Sequence, residues 1–191
     1  MSYTAGWSFG GIIAFEVARY LLKSDVPVKG VVLIDSPSPL NRVPLSDALI
    51  DSIVKLNRGS IPSSIGLLLK EQFQMSSRML LDYDPLVGCG PYPPLVLLRS
   101  CENYDPGGEL EVPGWLSNRG DCRSAVAGWE TIVGKPVKCI DIPGHHFQAF
   151  HNLYVRIRYI FLAAVLRLRQ ISSTASAIIE ACTFLDDTAD S

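Results

Sequence analysis

The residues best suited to chemistry in this chain are one serine in a glycine frame and a pair of adjacent histidines. Gly6-Trp7-Ser8-Phe9-Gly10 is a G-x-S-x-G pattern, extended by Gly11. Such a pattern belongs on a sharp strand-to-helix turn that thrusts a serine hydroxyl into solvent at the end of a sheet. The turn is expected to need small residues at Gly6 and Gly10, where strand and helix backbones pack. The backbone N–H of Phe9 then faces the place where an oxyanion would develop. A serine hydroxyl is a weak nucleophile without a base, and the base needs a carboxylate to orient it. His145 and His146, in Pro143-Gly144-His145-His146-Phe147, follow the last apolar run, at the same sheet end as Ser8. His151 falls in the next segment and reads as a surface or helix-start residue.

Asp35 is the favoured carboxylate. It closes the run Val28-Lys29-Gly30-Val31-Val32-Leu33-Ile34 and precedes Ser36-Pro37-Ser38-Pro39. The Ser–Pro steps force an extended exit from the sheet, which leaves the carboxylate at the crevice. One helix and one strand separate it from Ser8, which brings the two to neighbouring strand ends. Asp141 is the rival, but it lies inside the last run, close before His146. Asp82, Asp84 and Asp105 sit in turn-like contexts such as Asp84-Pro85 and Asp105-Pro106.

These side chains need a frame. Val28–Asp35, Pro94–Arg99 and Val137–Ile142 are nearly continuous apolar runs, as expected of strands covered on both faces. The residues before Ser8 read as the end of a further strand. Gly10–Lys23 is a helix candidate with Lys23 in its last turn, favourable to the helix dipole. Ser46–Asn57 carries Leu49, Ile53 and Leu56 at helical spacing, and a second amphipathic stretch covers about 64–81. Helical patterns between strands make an α/β fold with a parallel sheet. The last two stretches form an inserted helical layer over one end of it.

Composition sets the limits. The 191 residues suit one domain, and the formal net charge of −2 excludes electrostatic nucleic-acid binding, which needs a basic excess. Apolar residues make up 48% and charged residues 19%, which excludes intrinsic disorder. The longest apolar run, 159–166, falls short of the roughly 20 residues that span a bilayer. The opening Met1-Ser2-Tyr3-Thr4 does not read as a signal peptide. Five widely spaced cysteines without a CxxC pair support neither a zinc site nor a disulfide framework. The expectation is a reduced protein of the cytoplasm.

Taken together, Gly6-Trp7-Ser8-Phe9-Gly10-Gly11, Phe15-Glu16-Val17-Ala18, Leu33-Ile34-Asp35-Ser36-Pro37 and Gly144-His145-His146-Phe147 resemble the thioesterase domains that end fungal iterative polyketide synthases. Peptide-synthetase thioesterases are the next likeness. The resemblance covers residues 1 to about 150 and implies an α/β-hydrolase fold with a helical lid at about 40–90. It implies Ser8 as nucleophile, Asp35 as orienting acid, His146 as general base (it directly precedes Phe) and the Phe9 N–H in the oxyanion hole. No cofactor or metal is implied on the chain itself. The substrate would be an acyl chain on the phosphopantetheine arm of an acyl carrier protein, released by hydrolysis or cyclisation.

Two features depart from that family. Its members carry several strands before the nucleophile, with the second oxyanion donor among them. This chain opens seven residues before Ser8, so the N-terminal strands are expected to be missing and the domain partial. About 152–173 reads as an atypical insertion. Arg156, Arg158, Arg167 and Arg169 stand there without an acidic residue, and an insertion is a better account than a membrane-surface helix. A closing helix is expected to resume at about 175–182. The competing functions are a free-standing serine esterase or lipase, and an inactive fragment acting only as an interaction module.

Overall fold

The structure is a computed structural model that describes residues 2–40, 43–56, 63–86, 90–149, 177–178 and 180–185. Four strands, β1 (Ser2–Trp7), β2 (Val28–Ile34), β3 (Leu95–Ser100) and β4 (Lys138–Ile142), form one parallel sheet in the order β1-β2-β3-β4. Helix α1 (Phe9–Lys23) joins β1 to β2, and helices α2 (Asp47–Leu56) and α3 (Ser63–Leu81) lie between β2 and β3. The β3–β4 connection holds a short helix α4 (Gly114–Ser117) and a longer α5 (Cys122–Val133). Parallel neighbours need such crossovers, since a tight turn cannot return the chain to the same end of the sheet. This is the doubly covered α/β architecture expected from the apolar runs.

Strand alternation sorts the core into two faces. Val31, Leu33, Leu95 and Leu97 pack against Ile12, Phe15 and Ala18 of α1 and against Val126, Trp129, Ile132 and Val133 of α5. Val32, Ile34, Val96, Leu98 and Ile142 point the other way and meet Ala149, Ala177, Ala181 and Leu185. Ala177, Ala181 and Leu185 repeat every four residues, so helical residues 177–178 and 180–185 close that face with one apolar stripe. The sequence reading assigned no residue range to a helix before β4. Yet α5 has clear punctuation: Asp121 and Ser124 form a reciprocal capping box, and Gly134 ends the helix in the left-handed region. Residues 152–173, read as an insertion, and His151 lie outside the described residues.

Leu185 is fully buried and sits where a side chain at Gly30 would collide with it. Leu185→Ala is expected to lower the unfolding free energy by about 2–5 kcal/mol, the usual cost of emptying a core leucine site. Urea denaturation checks this, and a loss below about 1 kcal/mol would mean that the C-terminal helix is not seated on the sheet.

Above the sheet end, Leu49 and Ile53 of α2 join Tyr104 and Leu116 in a third apolar cluster, with Leu45, Phe73, Trp115 and Phe147 packed against it. The segment that follows α3 is also tied to α1. Tyr83, just after α3, donates to the Glu16 carboxylate, which accepts as well from the buried Arg19 at 2.6 Å. Burial, then the bond to Glu16, pushes the Tyr83 phenol well above its ordinary range. Among the described residues, no helix is long and apolar enough to cross a membrane.

Candidate active site

Three strand ends meet at the upper edge of the sheet. Ser8 follows β1 directly, at φ 53° and ψ −124°, and Asp35 follows β2 at φ 44°. Both have a positive φ that costs a non-glycine residue on the order of 1–3 kcal/mol and survives only where the surroundings fix it. The surroundings here do so. The Ser8 N–H donates to the Ile34 carbonyl at 3.0 Å, and the Asp35 N–H donates to the Leu98 carbonyl at 2.7 Å. Ser36 Oγ donates to the Ser8 carbonyl at 2.6 Å, while the Trp129 indole of α5 donates to the Ser36 carbonyl at 2.9 Å. Each ladder thus runs one residue beyond its strand and bends the next side chain into the crevice.

The glycine requirement differs in detail from the expectation. A Cβ on Gly6 would overlap the Gly10 carbonyl, as the tight turn demands, but a Cβ on Gly10 would meet open space. The second close approach belongs to Gly11, whose Cβ would strike the Ser36 side chain. The approach is close because the Ser36 side chain reaches over to the Ser8 carbonyl.

The polar side chains fall into one line. Ser8 Oγ lies 3.0 Å from His146 Nε2, and His146 Nδ1 lies 2.8 Å from Asp35 Oδ2. His146 stands in a single 3-10 turn after β4, 1% exposed, with the Trp7 ring stacked on it at 5.0 Å and the edges of Trp115 and Phe147 nearby. His145 does different work. Its Nδ1 accepts the Phe147 N–H at 3.2 Å, capping that turn, and its ring packs on Tyr104. Asp141, the rival carboxylate, is taken by Arg99, whose Nε and Nη2 reach its two oxygens at 2.7 and 3.0 Å. Asp84 and Asp105 accept backbone N–H groups two residues on, as turn residues do.

Burial works to raise the Asp35 pKa, but other forces outweigh it. The His146 hydrogen bond and charge, the Arg119 charge and the Ser100 N–H hold the carboxyl below its ordinary value. Asp35 is therefore ionised at neutral pH, and a carboxylate on Nδ1 fixes the tautomer whose Nε2 can accept the Ser8 proton. The Phe9 N–H opens α1, at the positive end of the helix dipole, where an oxyanion gains most.

A cleft of about 200 Å³ opens over Ser8 and His146, lined by Trp7, Phe9, Gly10 and Leu45 and, from α3, by Leu69, Gln72, Phe73, Ser76 and Ser77. Among the apolar residues of α2 and α3, Leu69 and Phe73 line this cleft. Leu49 and Ile53 are core, and Leu68 is 59% exposed. A second cavity of about 460 Å³ lies on the far side of Asp35, against Arg99, Trp115, Asn118 and Arg119. The sequence reading missed Arg119 and Trp7 as parts of the site. Trp7 was legible as the neighbour of Ser8, but nothing in Ser117-Asn118-Arg119-Gly120 marks an arginine that turns inward.

Among the described residues, Cys122, Cys139 and Asp141 bring three potential donor atoms within 4.8 Å of one another. They suit a metal poorly. Arg99 already neutralises Asp141, and burial, with the neighbouring Cys122, pushes the Cys139 thiol well up, away from the thiolate a metal takes.

The thioesterase domain model matches residues 3–154. The chain is 37% identical over 184 residues to the orsellinic acid synthase ArmB of Armillaria ostoyae, covering 95% of this chain and 8% of the relative. It is 36% identical over 178 residues to an orsellinic acid synthase of Beauveria bassiana, covering 76% of this chain and again 8% of the relative. It therefore spans less than a tenth of the length of these relatives. Among solved structures, the NocB thioesterase domain superposes with a TM-score of 0.59 at 18% identity, covering 93% of this chain and 65% of that one.

Proposed function

This chain belongs to the thioesterase domain family, with the α/β-hydrolase fold of a serine thioesterase, and from that premise we propose that it releases an acyl chain from the phosphopantetheine thioester of a carrier protein. The observation that carries the reading is the unbroken line from the Asp35 carboxylate through His146 to Ser8 Oγ, at the floor of the lid cleft. Ser8 Oγ attacks the thioester carbonyl while His146 Nε2 takes its proton. The Phe9 N–H stabilises the tetrahedral oxyanion, which collapses as the C–S bond breaks and His146 returns the proton to the departing thiol. In the second half, water or a nucleophile of the acyl chain itself attacks the Ser8 ester, with the same base. The likeness to orsellinic acid synthases supports a polyketide acyl chain as the cargo and an acyl carrier protein as the partner.

The test is the intact mass of the chain after mixing with an acyl-pantetheine thioester, beside a simple alkyl ester of the same acid. The expected result is a gain of one acyl group, formed faster from the thioester because binding of the arm contributes to the transition state. Faster acylation by the plain ester would favour a free-standing esterase, and no adduct from either, on a folded chain, would overturn the enzyme reading.

A further inference from the structure

The carboxylate of a Ser-His-Asp line needs only its histidine partner and a fixed rotamer, yet Asp35 also faces a buried guanidinium. Asp35 Oδ1 accepts the Ser100 N–H at 2.9 Å and a hydrogen bond from Arg119 Nη2, while Oδ2 accepts from His146. The side chains of Arg119 and Asp35 are 8% and 3% exposed. Arg119 is itself held from several directions. Its Nε donates to the Ser100 carbonyl at 2.8 Å, Nη1 to the Trp115 carbonyl at 2.7 Å, and its backbone N–H to Asn103 Oδ1 at 3.1 Å. Its own carbonyl, with that of Gly120, receives Arg99 Nη1 at 2.8 Å, and Arg99 is locked by Asp141 on β4. All three nitrogens of this planar fork donate, to two carbonyls and a carboxylate, a set that a single ammonium point charge does not match.

We propose that Arg119 is a positioning residue of the serine machinery: it clamps the Asp35 rotamer, and its fixed positive charge keeps His146 neutral, and so basic, down to lower pH. The inference rests on the Ser8-His146-Asp35 reading above. Among the described residues, the charged and titratable groups near His146 include Asp35 from the end of β2, Arg119 from the turn after α4, the neighbouring His145 with Tyr104 packed on it, and Glu102 after β3, which accepts the Gly144 N–H. From α3, the polar residues lining the cleft are the neutral Gln72, Ser76 and Ser77. A cation beside Asp35 offsets part of the attraction that the carboxylate exerts on an imidazolium. Removing the cation therefore raises the pH at which His146 protonates and activity falls.

The experiment reads Ser8 directly, without depending on the natural acyl group. A small fluorophosphonate reacts as Ser8 Oγ bonds phosphorus, fluoride leaves, and His146 takes the hydroxyl proton. The labelling rate is followed by intact mass from acid to neutral pH for wild type, Arg119→Met and Arg119→Lys. In Arg119→Met the acid limb is expected to move up by about one pH unit, and the plateau rate to fall by about 10- to 100-fold as Asp35 loses its clamp. Arg119→Lys restores the acid limb with the charge but recovers the plateau only in part, since the fork is gone. A lower plateau with an unmoved acid limb in Arg119→Met would reduce Arg119 to scaffolding and overturn the proposal. If Arg119→Met does not fold, an Arg119→Lys variant with an unchanged plateau overturns the clamp on its own. A wild-type chain that takes no label would sink the serine reading itself, and this proposal with it.

Discussion

Ser8→Ala is expected to lower kcat for acyl-thioester turnover by about 10⁶-fold, because the nucleophile and its base act as a unit. For the same reason, His146→Ala should cost about as much alone, and the double variant no more than either single one. The oxyanion donor and the cleft survive these changes, so a small residual rate over water should remain. Single-turnover kinetics on an acyl-pantetheine thioester measure the effect. A Ser8→Ala chain that keeps more than about a hundredth of the wild-type rate would place the nucleophile elsewhere. The substitution should be structurally quiet, since alanine keeps the Cβ and the same awkward φ of 53°. Ser8→Gly separates the two roles of the position. It is equally inactive, yet it relieves the positive-φ backbone and should stabilise the fold by about 1 kcal/mol in urea. Strain at the nucleophile would then be a measured cost of placing the hydroxyl at the crevice.

Why the elements were readable and parts of the site were not follows from where each signal resides. Continuous apolar runs announce strands covered on both faces, and Val28–Ile34, Leu95–Ser100 and Lys138–Ile142 form within a residue or two of those runs. Ser8, Asp35 and His146 stand out because each ends or follows a strand, where the topology alone gathers them. Arg119 carries no such mark. Its direction depends on the Ser100 and Trp115 carbonyls, which come together only when β3, α4 and the following turn are assembled. The error at Gly10 has the same origin. The G-x-S-x-G pattern implies crowding at both glycines, whereas the group that crowds the helix side is the Ser36 side chain, and it selects Gly11. Phe73 could not be told from Leu49 or Ile53, since helical spacing gives all three the same apolar reading. Only the packing of α2 beneath α3 makes two of them core and leaves one in the cleft.

The second large effect belongs to Asp35→Asn, expected to lower kcat by about 10⁴-fold while leaving the site's shape intact. An asparagine amide donates where the carboxylate accepted. His146 Nδ1 must then become the acceptor, its proton moves to Nε2, and Ser8 Oγ faces an N–H instead of a base. The loss should appear in kcat at every pH, unlike the shifted acid limb of Arg119→Met. Stability gives an independent reading. The Asp35 pKa is held below its ordinary value, so its contribution is full above the ordinary carboxylate range and fades as pH falls through the lowered value. Asp35→Asn removes that contribution, and it leaves the Arg119 guanidinium buried without its counter-charge, a change that typically costs about 3–5 kcal/mol. Urea titrations from neutral to acid pH should show the variant less stable at neutral pH and converging toward wild type in acid. Adding Arg119→Met to Asp35→Asn should return much of the neutral-pH stability, since both members of the buried pair are then gone, without returning any catalysis. A double variant no more stable than Asp35→Asn alone would mean that Arg119 and Asp35 are not a coupled pair. The carboxylate would then answer to His146 and the Ser100 N–H alone.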